Sequence, residues 1–278
     1  MSGSLKSTLQ SLLKRVGVYH RLKASCLYDF YWSLADPQFV ERTKKELQFY
    51  QHTLLGFTKG DIIFDIGANQ GFKTAQFLKL GARVVAVEPD ATNQAILKES
   101  FHALRLFKKS VTIVAKAVSD KTGQETMWVD EPGSAKNTLN PKWVETLRQD
   151  SSRFGESLQF GEKKTVETTT MEDLFKAHGR PFFIKIDVEG YEAVVLSGMK
   201  SSVPYVSFEV NLPEFLPEAI QCINTLENIG SNGTFNYVTD SLQGLAFPQW
   251  LSHAEFAKAL ESCREPCIEV FWHAPKQG

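Results

Sequence analysis

Three acids each close a short β-like run. Asp65 follows Ile62-Ile63-Phe64 and leads into the bare turn Gly67-Ala68-Asn69-Gln70-Gly71. Glu88 follows Val84-Val85-Ala86-Val87 and is itself followed by Pro89, which stops the strand. Asp187 follows Phe183-Ile184-Lys185-Ile186 and precedes Val188-Glu189-Gly190. In a doubly wound sheet, ligands bind beyond the carboxyl ends of the strands. A glycine there lets the chain turn sharply and lets a ligand touch backbone. An acid about 20 residues past the glycines can accept hydrogen bonds from both hydroxyls of an adenosine ribose. Two cofactors fit that pattern, a nicotinamide dinucleotide and S-adenosylmethionine. A dinucleotide rests its pyrophosphate on the helix N-terminus and favours G-x-G-x-x-G. Here the middle glycine is Asn69, and a carboxylate at Asp65 would repel a pyrophosphate but attract an α-ammonium and a sulfonium. Charge therefore selects S-adenosylmethionine.

The elements that must hold these residues alternate from residue 61 onward. Strands are predicted at Ile62–Ile66, Arg83–Val87, Thr112–Lys116, Phe182–Ile186 and Tyr205–Glu209. Helices fit between them at 71–80, 91–106, 171–178, 190–199 and 214–229. That alternation implies an α/β fold, with parallel pairing, right-handed crossovers and helices on both faces. Two late strands, Phe235–Val238 and Cys267–Trp272, are expected at a sheet edge, with a helix at 253–263 between them. Upstream, residues 4–56 read as helical, the stretch from Phe39 to Leu55 ending at Thr58-Lys59-Gly60-Asp61. The division expected is a helical extension over 1–56 and one catalytic domain over 57–278. Residues 130–164 form a link long enough to be a lid or an acceptor-binding insertion. It carries Trp143, Arg148, Arg153, Phe154 and Phe160, which suit a ring face or an anionic group, and its small polar segment Gly133–Leu139 could close over a bound cofactor.

Composition narrows the class. The chain has 278 residues, 42% hydrophobic and 23% charged, with a net charge of −1, which is globular and without the basic surplus of a nucleic-acid binder. Apolar runs are too short to span a membrane, and the first 20 residues lack the apolar core of a secretory signal. Cys26, Cys222, Cys263 and Cys267 are too few for a disulfide scaffold and lack the pairing of a zinc site, so reduced thiols in a cytoplasmic protein are expected. The stretch Leu12–Trp32 mixes Lys14, Arg15, Arg21 and Lys23 with apolar residues. A helix covering the core is the plain reading; peripheral membrane contact or a homodimer interface are the alternatives.

The run Phe183-Ile184-Lys185-Ile186-Asp187-Val188-Glu189-Gly190-Tyr191-Glu192, followed by Val195-Leu196-Ser197-Gly198, closely resembles the signature of FkbM-type methyltransferases. Asp65–Gly71 resembles the first motif of that family, Val87-Glu88-Pro89 its second and Ala117-Val118-Ser119-Asp120 its third. Glu167–Leu174 resembles the segment before the signature strand, and Phe208-Glu209-Val210-Asn211 sits where the family closes its fifth strand with an acid. The likeness runs from about residue 45 to 240. It implies a class I methyltransferase fold, a Rossmann-like, mostly parallel seven-stranded sheet, and S-adenosylmethionine as methyl donor. Cofactor contacts are implied at Asp65, Gly67, Ala68, Asn69, Gly71, Glu88 and Asp187, with the Ala117–Val118 backbone beside the adenine.

A hydroxyl acceptor needs a base, or a metal that lowers its pKa. Asp187, Glu189 and Glu209 lie at or beyond the ends of neighbouring strands and can converge, with Asp187 the first candidate. Glu189 has a second reading, as a cap of the following helix. Asp187 with Asn211 or Glu209 would offer oxygen ligands to Mg2+, the less favoured arrangement because no D-x-D cluster accompanies them. Solvated or capping roles suit all six histidines, His20, His52, His102, His178, His253 and His273. The expected activity is O-methylation of a hydroxyl on a sugar, glycan or secondary metabolite. N-methylation of a small amine, a non-catalytic binding protein of the same fold, and a nicotinamide-dependent oxidoreductase are the rivals.

Overall fold

The computed structural model describes residues 37–102, 104, 105, 109–149, 158 and 160–274. The periodicity read over residues 4–36, with Lys14, Arg15, Arg21 and Lys23, lies outside the described residues, as do Cys26, Arg153 and Phe154.

From residue 61 onward the expected strands and helices form in the expected order. The order begins α1 (Pro37–Thr53), β1 (Ile62–Ile66), α2 (Phe72–Leu80), β2 (Arg83–Val87), α3 (Ala91–Ser100) and β3 (Val111–Val114). It continues β4 (Ala117–Val118), β5 (Gly123–Val129), α4 (Pro141–Gln149), β6 (Glu162–Thr169), α5 (Met171–His178) and β7 (Phe183–Ile186). The last part is α6 (Glu192–Ser197), β8 (Tyr205–Asn211), α7 (Leu216–Ile229), β9 (Thr234–Val238), β10 (Leu251–Ser252), α8 (His253–Ser262) and β11 (Cys267–His273).

The main sheet runs β10-β9-β11-β8-β7-β1-β2-β3. Strands β3, β2, β1, β7 and β8 are parallel neighbours, and β11 is antiparallel to both β8 and β9. Two expectations change here. The sheet has eight strands rather than seven, because the two-residue β10 pairs with β9 at the edge. The run from Cys267 does not lie at an edge: β11 inserts between β8 and β9, and Ile268, Val270, Phe271 and Trp272 are buried because both its faces are covered. A second sheet, β4-β6-β5, was not expected at all. It carries the insertion, in which α4 buries Trp143, Val144 and Leu147 against Leu158, Phe160 and Phe215.

Two apolar layers fix the strands in place. One packs α5, α6, α7 and α8 against Phe64, Ile184, Val206, Phe208 and Trp272. The other packs α1 and α2, through Phe49, Tyr50 and Phe77, against Ile63, Phe183 and Phe271. Tyr50 and Phe77 meet edge to face with centroids 5.2 Å apart, and Phe183 stacks on Phe271 at 6.2 Å. Asp90 caps α3, its carboxylate accepting from the amides of Thr92 (2.8 Å) and Asn93 (3.2 Å). Asp90→Ala is expected to cost about 1 kcal/mol of stability, read as a lower urea midpoint at an unchanged m-value; an unmoved midpoint contradicts that role.

Candidate functional site

A cleft opens beyond the carboxyl ends of β1, β2 and β7. The β1–α2 turn supplies Gly67 and Asn69, β2 ends in it at Glu88, and the loop after β7 contributes Asp187, Val188 and Glu189. Ala117, Val118, Met127 and Tyr191 form an apolar wall, and the insertion covers it with Ser134, Ala135, Asn137, Thr138 and Leu139. The cleft is open at its mouth, and the empty space of the two together, open solvent included, is about 710 Å³.

The turn that builds the near wall depends on left-handed backbone. Gly67 has φ +79, and a Cβ there would lie 1.8 Å from the Asp187 carbonyl oxygen. The amides of Gly67 and Ala68 both donate to the Val87 carbonyl at 3.0 Å, tying the turn to the end of β2. Asn69, at φ +48, donates its amide to Glu88 Oε2 at 2.7 Å, and the Asp90 amide donates to Glu88 Oε1 at 2.8 Å. Burial pushes the Glu88 carboxyl up to about 7 against those two hydrogen bonds. Gly71 packs instead against Leu97 and Phe101, and neither it nor Ala68 lines the cleft.

Below the cleft floor lies a charged layer that sequence reasoning did not foresee. Lys185, 4% exposed, donates to Asp187 Oδ2 at 2.8 Å. Burial alone would lower the lysine pKa, but Asp187 and then Glu269 outweigh it, and the ammonium is held charged. Glu269 accepts from Ser207 Oγ at 2.7 Å. Asp65 is in register with Lys185 across β1 and β7, and at 1% exposure it points into this layer, where it accepts from Thr74 Oγ1. Its carboxyl pKa is raised by burial, with Lys185 and Thr74 opposing. The side chain expected beside the cofactor's ammonium thus lies under the floor, and Ile66, Gly67 and Asn69 line the surface.

Of the three acids expected to converge, Asp187 and Glu189 line the cleft and Glu209 does not. Glu209 borders a small adjoining void with Phe208, Phe215 and Cys222. Burial and then Asp187 raise its pKa. Glu189 sits at φ +56, and burial, Asp187, Glu209 and Glu192 all push its carboxyl well above the usual range. Glu192, rather than Glu189, takes the backbone amides here, accepting from Val188 (3.0 Å) and Gly190 (3.3 Å); burial lifts its pKa to about 8. No described histidine lines the cleft. Among the described residues no group of three His, Cys, Asp or Glu side chains is placed to hold a metal ion, and Asn211 donates to Glu209 instead.

The sequence profile of the methyltransferase FkbM domain matches residues 65–231, more than half of the chain. The chain belongs to the FkbM methyltransferase family. Its sheet is that of a class I, Rossmann-like methyltransferase, and the family's methyl donor is S-adenosylmethionine. Solved structures similar to it include precorrin-6y C5,15-methyltransferase from Geobacter metallireducens, with 11% identity, coverage of 86% of this chain and 88% of that one, and a TM-score of 0.41. A TehB-like SAM-dependent methyltransferase from Corynebacterium glutamicum has 11% identity, coverage of 83% and 88%, and a TM-score of 0.41. A putative RNA methyltransferase from Pyrococcus horikoshii has 11% identity, coverage of 85% and 83%, and a TM-score of 0.40. No curated protein matches the chain.

The cleft of this FkbM methyltransferase fits the donor chemically. Glu88 faces it with two oxygens whose backbone bonds leave lone pairs for a ribose diol. Asn69 Oδ1 is buried there with no partner, an acceptor a ligand donor would satisfy. An aromatic and apolar wall of Val118, Met127 and Tyr191 suits a base.

Glu88 makes this fit pH-dependent. An ionised carboxylate accepts two hydroxyl bonds, a protonated one fewer, so ligand binding favours the charged form and releases a proton. Affinity for S-adenosylhomocysteine is therefore expected to rise with pH up to about 7 and to level above it. Calorimetry at pH 6 should give binding about tenfold weaker than at pH 8. Glu88→Gln should abolish the slope; an affinity that does not change with pH contradicts this role.

Proposed function

We propose that this methyltransferase acts on a hydroxyl of a sugar, glycan or secondary metabolite. The observation that carries the reading is the pair of carboxyls on one wall of the cleft, Asp187 bonded to a buried lysine and Glu189 pressed toward its protonated form. A hydroxyl is a poor nucleophile near neutral pH and needs a proton acceptor at the moment of attack. Asp187 is the group in place for that. As the acceptor O–H bond breaks, its electron pair forms the new O–C bond and the proton passes to the Asp187 carboxylate. When bound, S-adenosylmethionine supplies an electrophilic methyl whose C–S electron pair returns to sulfur. Lys185 keeps Asp187 oriented, and the insertion excludes water from that end of the cleft.

We take residues 57–278 as the catalytic domain, residues 1–56 as its helical extension, and the insertion within 130–164 as the acceptor-facing cover. Its strap from Ser134 to Leu139 lines the cleft. Among the described residues no helix is long and apolar enough to cross a membrane. Cys222, Cys263 and Cys267 are free thiols, in keeping with a cytoplasmic location.

Incubation with methyl-labelled S-adenosylmethionine and panels of neutral sugars, glycans, phenols and amines tests the reading. Label is expected on a hydroxyl oxygen. Label on nitrogen alone refutes O-methylation and moves the assignment to the amine reading.

A further inference from the structure

The insertion crosses the cleft and is held differently on its two sides. Beside β7, Thr138 pairs with Trp128 of β5 through both backbone groups: the Trp128 amide donates to the Thr138 carbonyl at 2.8 Å and the Thr138 amide to the Trp128 carbonyl at 3.1 Å. The Thr138 hydroxyl donates to the Glu189 carbonyl at 2.8 Å, and Asn140 Nδ2 donates to the Gly190 carbonyl. Residues 130–137, enclosed by the Trp128–Thr138 pair, form a loop bonded to itself. Asn137 Oδ1 accepts from the Asp130 amide at 3.0 Å, Asn137 Nδ2 donates to the Glu131 carbonyl at 3.0 Å, and the Ser134 amide donates to that carbonyl at 3.1 Å. The bond from this loop to α3 is longer: Asn137 Nδ2 donates to Asp90 Oδ2 at 3.3 Å. Gly133, at φ +78, rests on the same end of α3, where a Cβ would come within 3.1 Å of Thr92 Cγ2 and 3.3 Å of Asn93 Oδ1.

Glu88 is 5% exposed and Asn93 2%, although both line the cleft together with Ser134, Ala135 and Asn137 of the loop. A nucleoside in solvent cannot reach a group covered to that extent until a neighbour moves. The wall itself is fixed: Glu88 holds the amides of Asn69 and Asp90, and Asp90 caps α3. We propose that residues 130–137 are a flap hinged on the Trp128–Thr138 pair and latched to α3 by Asn137, and that the cofactor enters and leaves beneath it. Opening on the α3 side breaks the bond to Asp90 and the Gly133 contact, and leaves the loop's own bonds intact. Opening on the β7 side would break the backbone pair with Trp128 and the bond to the Glu189 carbonyl together, at a correspondingly larger cost. The proposal rests on the cofactor reading of the cleft and holds for any acceptor.

A latch and a ligand contact differ in kinetics. Loss of a latch raises the entry and exit rates by one factor and leaves their ratio alone, whereas loss of a contact raises the exit rate. Stopped-flow binding of S-adenosylhomocysteine to Asn137→Ala is expected to show association and dissociation each about fivefold faster, the weight of one net hydrogen bond, with Kd within about twofold of wild type. A second variant staples the flap down. A Cβ at position 133 would lie 3.5 Å from the Thr92 Cβ, within the range of a disulfide. In the double variant Thr92→Cys, Gly133→Cys, oxidation should slow both rates by at least about tenfold and reduction should restore them. A thiol count confirms the bond, the reduced form is its own reference, and the wild type treated identically should not respond. Dissociation alone accelerated in Asn137→Ala, oxidised rates equal to reduced ones, or a cysteine pair that does not oxidise overturns the proposal. Absence of S-adenosylhomocysteine binding to the wild type at equilibrium is a different failure: it refutes the cofactor reading, and the flap with it.

Discussion

Asp187→Asn is expected to lower kcat for transfer to a hydroxyl by about 10²- to 10⁴-fold, the range for loss of a general base. The amide keeps the shape of the side chain and can still take a hydrogen bond from Lys185 through its oxygen, so the fold should survive. The variant leaves a buried lysine without its nearest carboxylate, and some stability will be lost with it. Asp65 and Glu269 remain beside that ammonium and limit the loss. Binding of S-adenosylhomocysteine by the variant separates the two effects. Retained binding with lost turnover supports the proton-acceptor role. Turnover within tenfold of wild type contradicts it and favours an amine acceptor, which needs no such base.

The second large effect falls on Gly67. An alanine there must place its Cβ where the Asp187 carbonyl oxygen now lies, 1.8 Å away, and must do so at φ +79. Either the β1–α2 turn or the end of β7 has to move, and both are walls of the same cleft. The amides of Gly67 and Ala68 would also lose their bonds to the Val87 carbonyl. Gly67→Ala is therefore expected to destabilise the protein by about 3 kcal/mol or more and to remove measurable cofactor binding. Urea denaturation and calorimetry check both. A variant with wild-type stability and affinity would mean that the close approach of Gly67 to Asp187 is not a constraint.

Much of this could be read from the residues, and the gaps have physical causes. Strands β1, β2, β7 and β8 are buried on both faces, so their apolar runs stand out against the helices between them. Period alone gives no neighbour order, which is why β11 could be recognised as a strand but not placed between β8 and β9. The second sheet was hidden for another reason. Strand β6, Glu-Lys-Lys-Thr-Val-Glu-Thr-Thr, buries only its last two residues, and β5 exposes most of its first half. Such strands read as polar link, and only their pairing with each other makes them a sheet.

At the site, residues at and just beyond the strand ends were legible. Gly67, Asn69, Glu88, Ala117, Val118, Asp187 and Glu189 all line the cleft because strand ends in this topology converge there. So does the small polar segment that was expected to close over it, from Ser134 to Leu139. Asp65 shows the limit. Its position at a strand end was correct, but side chains alternate across a strand, and its turn in that alternation points it at Lys185 rather than at the ligand. Lys185 itself, between Ile184 and Ile186, gives no sign in sequence that Asp65 and Glu269 lie beside it. The support for the loop after β7 was equally hidden, since Thr138 and Asn140 lie some 50 residues upstream of the Glu189 and Gly190 backbone carbonyls to which they donate.

Titration of the protein with S-adenosylhomocysteine and, separately, with a nicotinamide dinucleotide puts the cleft assignment to its most direct test. One equivalent of S-adenosylhomocysteine should bind per chain, Glu88→Ala should abolish that binding, and the dinucleotide should give no heat. Saturable dinucleotide binding that is lost in Glu88→Ala, with none of the adenosyl compound, would contradict the account.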